Sequence, residues 1–422
     1  MHTPVSPSAR SLPLLSPMLK SMIRKGHLVI VDARGERHTF AGDGDGRRVT
    51  VRLHDKSLPL RMVFNPSLAL GEAYMDGKLT IEEGSLQDLL HLLFQGLDAL
   101  DGHPVQRARA KFARGQSQRN HRRRSQRNVA HHYDLAGALY DLFLDQDRQY
   151  SCAYFTDAGQ TLDDAQAAKK RHIAAKLLLE PGCEVLDIGS GWGGLALELA
   201  QSANANVTGI TLSTEQLAAA GARAEAAGLS HQVRFELKDY RETEGTFDRI
   251  VSVGMFEHVG PQDYSTFFQT VGSRLKPDGV ALIHSIGRME PPGGADPWIS
   301  KYIFPGGYIP ALSEMIATVE KAGLWITDIE ILRVHYAETL RHWHDRFQER
   351  RAQAAEIYDE RFCRMWEFYL AACEMLFREG PLMVFQLQLA HRRDAVPLTR
   401  DYITDHERQA LADVPENVRH RA

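Results

Sequence analysis

The chain contains no uninterrupted apolar run approaching the roughly 18 to 20 residues that a membrane-spanning helix requires. Its Pro-containing N-terminus also lacks a basic stretch followed by a long apolar core. A protein made and kept in the cytoplasm is therefore expected. Cysteine is scarce, and Cys152, Cys183, Cys363 and Cys373 lie far apart with no Cys-x-x-Cys pair. Neither a zinc site nor a disulfide framework is indicated; the thiols are expected to be reduced and no metal is expected. Net charge is only −4 over 422 residues, which by itself selects no polyanionic partner. The charge is unevenly spread, because residues 107–127 hold nine Lys or Arg and no Asp or Glu, ending in Arg122, Arg123 and Arg124. Such a block reads either as a solvated linker or as a contact for an anionic surface. It lacks the interleaved aromatics of a nucleic-acid stacking platform, so no nucleic-acid partner is expected.

What is present is dominated by Val185-Leu-Asp-Ile-Gly-Ser-Gly-Trp-Gly-Gly-Leu-Ala-Leu-Glu-Leu-Ala200, a short apolar strand running into a glycine-rich turn and then a helix. Gly189, Gly191 and Gly194 satisfy G-x-G-x-x-G, in which missing side chains let the backbone approach a nucleotide-type ligand. A dinucleotide enzyme would place an acid about 20 residues further on to grip the ribose. The chain offers Gly209-Ile-Thr-Leu-Ser-Thr214 there instead. Asp187 extends the turn to Asp-x-Gly-x-Gly-x-Gly, which resembles the first motif of S-adenosylmethionine-dependent methyltransferases.

At this length, and 43% apolar, two domains are expected. Residues 1–104 read as a small α+β unit, with strand-like His27-Leu-Val-Ile-Val31 and Arg48-Val-Thr-Val-Arg-Leu53 on either side of the turn cluster 42–46. Leu86, Leu89, Leu90, Leu93, Phe94 and Leu97 form one helical face, for core packing or for lipid contact. Residues 105–127 read as the basic linker, 128–395 as a doubly wound α/β domain and 396–422 as a tail. Strands are predicted at 207–211, 233–237, 248–253, 280–284 and 325–332, and nearly continuous helix from about 338 to 388.

Ligands of open parallel sheets bind beyond the carboxyl ends of the strands. Glu257 and His258 follow one such end, His284 lies at the next, and Tyr336 closes the last predicted strand. Each alone reads as a cap or a hydrogen-bonded structural group; their common placement favours a site.

Several longer pieces are specific in combination. They are Asn65-Pro-Ser-Leu-Ala-Leu-Gly-Glu-Ala-Tyr-Met-Asp-Gly77, His131-His-Tyr-Asp134, Tyr150-Ser-Cys-Ala-Tyr-Phe155, Thr211-Leu-Ser-Thr-Glu-Gln216, Phe247-Asp-Arg-Ile-Val-Ser-Val-Gly-Met-Phe-Glu-His-Val-Gly260 and Lys301-Tyr-Ile-Phe-Pro-Gly-Gly307. With the glycine turn, they make the chain resemble the cyclopropane-fatty-acyl-phospholipid synthases over roughly residues 60–390. The resemblance implies transfer of a methylene unit from S-adenosyl-L-methionine to a cis double bond of an unsaturated phospholipid acyl chain. It further implies a carbocation deprotonated by bound bicarbonate, peripheral association with the inner membrane face, and a homodimer.

By motif, the bicarbonate cradle would comprise Cys152, Glu257, His284, Ile286 and Tyr336. Cys152 would act through its position and main chain, since no His-Asp pattern accompanies it as it would a nucleophile. Glu257 would orient the cradle, because a bare carboxylate cannot face an anion unless a proton is shared. The cofactor would be held by Gly189, Gly191 and Gly193, with Tyr150 and Ser151 closing over it, Thr211, Leu212 and Gln216 on the ribose side, and Asp239 and Tyr240 beside the adenine. Other outcomes of the same site are a methyl-branched or methylene-bearing chain. A small-molecule or RNA methyltransferase and a non-catalytic lipid-binding protein are further alternatives.

Overall fold

The computed structural model describes residues 12, 14–97 and 137–412. The basic block at 107–127, the motif at 131–134 and the last part of the tail lie outside the described residues. The chain divides into two compact units: the described parts of Met1–Ser117 with Gly294–Ile303 and Phe347–Pro381, and the described parts of Gln118–Gly293 with Phe304–Arg346 and Leu382–Ala422.

The first unit is built on a four-stranded sheet in the order β2-β1-β3-β4, formed by β1 (His27–Val31), β2 (Arg37–Ala41), β3 (Arg48–Leu53) and β4 (Leu79–Glu83). Alternation puts Leu28, Ile30, Val49, Val51 and Leu53 into a core with Leu15, Leu19, Leu58 and Leu89. The helix Leu86–Phe94 starts in a capping box between Ser85 and Asp88 and buries Leu86, Leu89, Leu90 and Leu92. The rest of its expected face, Leu93, Phe94 and Leu97, lines an apolar cavity with Met18, Met22 and Phe368. Helices Pro297–Tyr302 and Glu360–Arg378 belong to this unit, although the sequence boundaries place them within the second domain. Packing explains the assignment, because Trp298 is buried against Phe368 and against Gly71, where a Cβ would lie 2.4 Å from the indole.

The second unit is the doubly wound α/β domain. Its strands are β5 (Glu184–Ile188), β6 (Asn206–Thr211), β7 (Val233–Leu237), β8 (Phe247–Val253), β9 (Leu275–Arg288), β10 (Trp325–Ile331) and β11 (Leu382–Ala390), in the order β10-β11-β9-β8-β5-β6-β7. β7, β6, β5, β8 and β9 run parallel, whereas β11 is antiparallel to both β9 and β10. β11 corrects the expectation of helix to 388. Helix ends at Arg378, ahead of Gly380 and Pro381, which cannot propagate it. Every residue from Met383 to Ala390 is then buried, and a strand covered on both faces shows no period-2 pattern. Tyr336, expected at a strand end, sits in the first turn of the helix His335–Glu349. No helix among the described residues is long and apolar enough to cross a membrane.

Candidate active site

The strand order reverses at β5, with β6 on one side and β8 on the other, and a crevice opens beyond their carboxyl ends. Its lining includes Tyr150, Ser151, Gly189, Gly191, Thr211, Leu212, Gln216, Asp239 and Tyr240. These are the expected cofactor residues except Gly193, which is absent from that wall. Gly193 begins the helix Gly194–Ala203 with φ +83°, and a Cβ on it would lie 2.8 Å from the Phe235 ring and 2.9 Å from Ala220 Cβ. It is glycine because another helix packs there. Gly191, with φ +53°, has nothing within 4 Å of where its Cβ would project, so its side is open space.

Two buried polar atoms of cavity-lining residues have no partner among the described residues, Asp187 Oδ2 and Trp192 Nε1. Burial pushes Asp187 up to about 7, partly offset by the Lys169 charge. Gln216 is fixed by its Oε1, which accepts from Thr211 Oγ1 at 2.9 Å, leaving its amide N–H groups for a ribose-like hydroxyl. Asp239 accepts bidentately from the Arg241 guanidinium at 2.8 and 2.7 Å, so its carboxylate shapes the wall while already engaged.

None of the five expected cradle residues is among those lining this cavity; two are chain neighbours of its wall, Cys152 following Ser151 and Glu257 lying between the lining residues Met255 and His258. The 3-10 turn Phe256–His258 brings Glu257 beside β9, where its Oε1 accepts from the Ile286 N–H at 2.7 Å. That N–H, expected to face an anion, is thus taken by Glu257. Glu257 Oε2 is buried without a partner among the described residues. Burial pushes this carboxyl up to about 7, against the lowering effect of the Ile286 bond. Two residues earlier on β9, the His284 ring is pushed down to about 3 by burial and nearby positive charge, and is neutral. Gln386 on β11 donates its amide to His284 Nδ1 at 3.2 Å, while its Oε1 is held by Lys176 Nζ at 2.8 Å. Nδ1 is therefore the acceptor, and Nε2 carries the ring proton.

Cys152 is buried, and burial raises its thiol well above the ordinary value, the opposite of an activated nucleophile. The next residue, Ala153, donates its N–H to Thr339 Oγ1 at 3.0 Å, tying this segment to the helix His335–Glu349. Cys152→Ser is accordingly expected to keep activity within about tenfold of the parent. A turnover assay with the folded variant checks this; complete loss would restore the nucleophile reading. Tyr336, Thr339 and Trp343 follow one another on that helix at three- and four-residue spacing. Tyr336 meets Trp343 edge-on at 5.8 Å, and Trp343 stacks on Tyr150 at 5.1 Å. A buried aromatic cluster therefore runs from Tyr150, at the cavity wall, through Trp343 to Tyr336. Gln386 escapes a reading of the sequence because its segment is dominated by core residues; Trp343 stands out there only as one of the aromatics of the helical stretch after 338, which could cap the sheet or wall a lipid channel.

A glycine turn at the switch point of this sheet, lining the crevice beyond the strand ends, is the arrangement of an S-adenosylmethionine-dependent methyltransferase. Residues 120–387 match the family described as mycolic acid cyclopropane synthetase, and the chain belongs to that family. Residues 24–100 match a domain of unknown function, DUF7884. The chain is 40% identical over 338 residues to the cyclopropane-fatty-acyl-phospholipid synthase of Escherichia coli K12, covering 80% of this chain and 86% of that one. It is 37% identical over 357 residues to a probable fatty acid methyltransferase of Pseudomonas putida, covering 82% and 87%. Among solved structures it resembles the mycolic acid cyclopropane synthase CmaA1 complexed with SAH and CTAB. The TM-score is 0.60 and the identity 33%, over 63% of this chain and 97% of that one.

Proposed function

We propose that this methyltransferase adds a methylene unit to the cis double bond of an unsaturated phospholipid acyl chain and closes a cyclopropane ring, with bicarbonate as the base. The observation that carries the reading is the placement of Glu257, bonded through Oε1 to the Ile286 N–H two residues along β9 from a His284 whose Nδ1 is held by Gln386; burial raises the carboxyl and lowers the ring. S-adenosylmethionine, when bound, supplies an electrophilic methyl carbon on sulfur, and bicarbonate a base that takes one of that carbon's protons.

An alkene is a weak nucleophile with no proton to remove first, so alignment with the methyl carbon contributes most of what a protein can add. Its π pair forms the new C–C bond while the C–S bond breaks, leaving positive charge on the adjacent acyl carbon. The ring of Tyr150, at the cavity wall and backed by the buried Trp343, suits that charge and excludes water, which would capture it. Loss of a proton from the added methyl releases the electron pair that closes the ring. Glu257, holding its proton on the otherwise unmatched Oε2, and His284, with its proton on Nε2, are donors suited to keep an anionic base in place. Cys152, Ile286 and Tyr336 complete the cradle, with Ile286 acting through Glu257. The apolar cavity of the first unit suits lipid docking, and the basic block at 107–127 suits an anionic membrane surface. A homodimer and peripheral attachment to the inner membrane face belong to the same proposal.

The relative named as a fatty acid methyltransferase favours a second reading in which the cation is rerouted to a methyl-branched or methylene-bearing chain. The deciding experiment incubates the protein with unsaturated phospholipid vesicles and methyl-labelled S-adenosylmethionine, followed by mass spectrometry and NMR of the acyl chains. Label in a saturated three-membered ring is expected. Label in a branched or methylene-bearing chain would favour the second reading, and no lipid label would overturn both.

A further inference from the structure

The helix Leu162–Leu177 carries Gln166, Lys169, His172 and Lys176 at spacings of three, three and four, and all four are buried. A polar stripe turned inward is costly unless each member is matched. His172 donates to Glu330 and Glu407 at 2.7 Å each, and Lys176 pairs with Glu330 and with Gln386. Lys169 is different. Among the described residues its ammonium has no carboxylate partner within ion-pair distance; it donates to two neutral acceptors, Gln149 Oε1 at 2.6 Å and Ser151 Oγ at 3.0 Å. Burial pushes it down to about 8, against the raising effect of Asp145.

Gln149 and Ser151 flank Tyr150, and all three lie on the wall of the cofactor cavity. Gln166 grips the same segment from the same helix, donating to Ser151 O at 2.9 Å and, more weakly, to Gln149 O at 3.3 Å. Burying a cation to hold two neutral side chains makes little sense as a device for stability alone, because an apolar side chain would fill the space without the desolvation cost. It does make sense as a rigid clamp on a segment whose position matters. We propose that Lys169 is a positioning residue for the cofactor: its ammonium fixes Gln149 and Ser151, and through them sets Tyr150 against the cavity and Cys152 toward the cradle. The charge also acts on Asp187, whose carboxyl it lowers against the effect of burial.

This inference rests on the reading of the crevice as the cofactor site. The test is titration calorimetry of SAH into the full chain, comparing the parent with Lys169→Met, which keeps the stem and removes the ammonium. SAH affinity is expected to fall about tenfold to fiftyfold while the thermal midpoint stays within a few degrees. In turnover the KM for S-adenosylmethionine should rise and that for phospholipid vesicles should not. An affinity within twofold of the parent, or parallel rises in both KM values, would overturn the proposal. Gln149→Leu provides a second arm should Lys169→Met fail to fold, with about a fivefold loss expected and no loss counting against the clamp. Where both variants fold, the double variant should lose less than the sum of the two, since both remove one interaction; full additivity would contradict the inference. A parent chain that binds no SAH would overturn the cofactor reading itself, and Lys169's role with it.

Discussion

Glu257→Gln is expected to retain at least tenfold more activity than Glu257→Ala, and to melt at a higher temperature than the parent above pH 7. The side-chain oxygen of the substituted glutamine would still accept from the Ile286 N–H, a bond now made to Glu257 Oε1 at 2.7 Å, and its amide would present N–H where the protonated carboxyl presents O–H. Ala removes both, and losing one donor to a developing or bound anion typically costs about 10²–10³ in rate. The stability effect follows from proton binding. The folded-state value is about 7 against 4.5 for the ordinary group, so the folded protein holds the proton more tightly. Stability from this group is complete below the ordinary value and is lost as pH rises through about 7. At about 1.4 kcal/mol per pH unit the interval corresponds to roughly 3 kcal/mol at pH 8. Melting curves at pH 5 and pH 8 should therefore separate parent and Gln variant only at the higher pH. If bicarbonate is bound there as proposed, parent turnover at constant bicarbonate should decline as Glu257 ionises, and the Gln variant should lack that limb. A parent rate that climbs through pH 7, with Gln as inactive as Ala, would make Glu257 itself the base.

Gly191→Leu should abolish measurable SAH binding, a loss of more than a hundredfold, with only a modest fall in stability, whereas Gly193→Ala should chiefly destabilise the fold. The two glycines have similar backbone signs, φ +53° and +83°, and opposite surroundings. A side chain on Gly191 projects into open space at the cavity wall, so it competes with a ligand while costing about 1–2 kcal/mol in backbone strain. A methyl on Gly193 runs into Ala220 and Phe235, and relief requires the helix Thr214–Ala226 to move. Calorimetry and thermal melts on both variants distinguish the outcomes. Unchanged SAH affinity in a folded Gly191→Leu would mean that the glycine turn does not face the cofactor.

The Gly191 and Gly193 pair also illustrates the limit of motif reading. Spacing marks both as cofactor glycines, and only the location of Ala220 and Phe235 separates their jobs. β6, β7 and β8 are legible because short apolar runs alternate with helical patterns between them. β2 is not, since Phe40 is its single buried residue; nor is β11, whose unbroken burial mimics a core helix. Lys169 and Gln166 are hidden for a related reason. Polar residues at helical spacing read as a solvated face, and their inward direction depends on the segment 149–151, which is distant in neither chain nor space but has no pattern of its own.

The insertion of β11 between β9 and β10 has a consequence for the order in which the molecule is made. His284 and the Gln386 that fixes its ring proton are 102 positions apart, and β9 remains a sheet edge until residues 382–390 have left the ribosome. The glycine turn can assemble early with β5 and β6, but the histidine acquires its tautomer only when β11 pairs. A chain arrested before β11 would leave His284 without the amide that fixes its ring proton, so competence for the proposed chemistry waits on that strand.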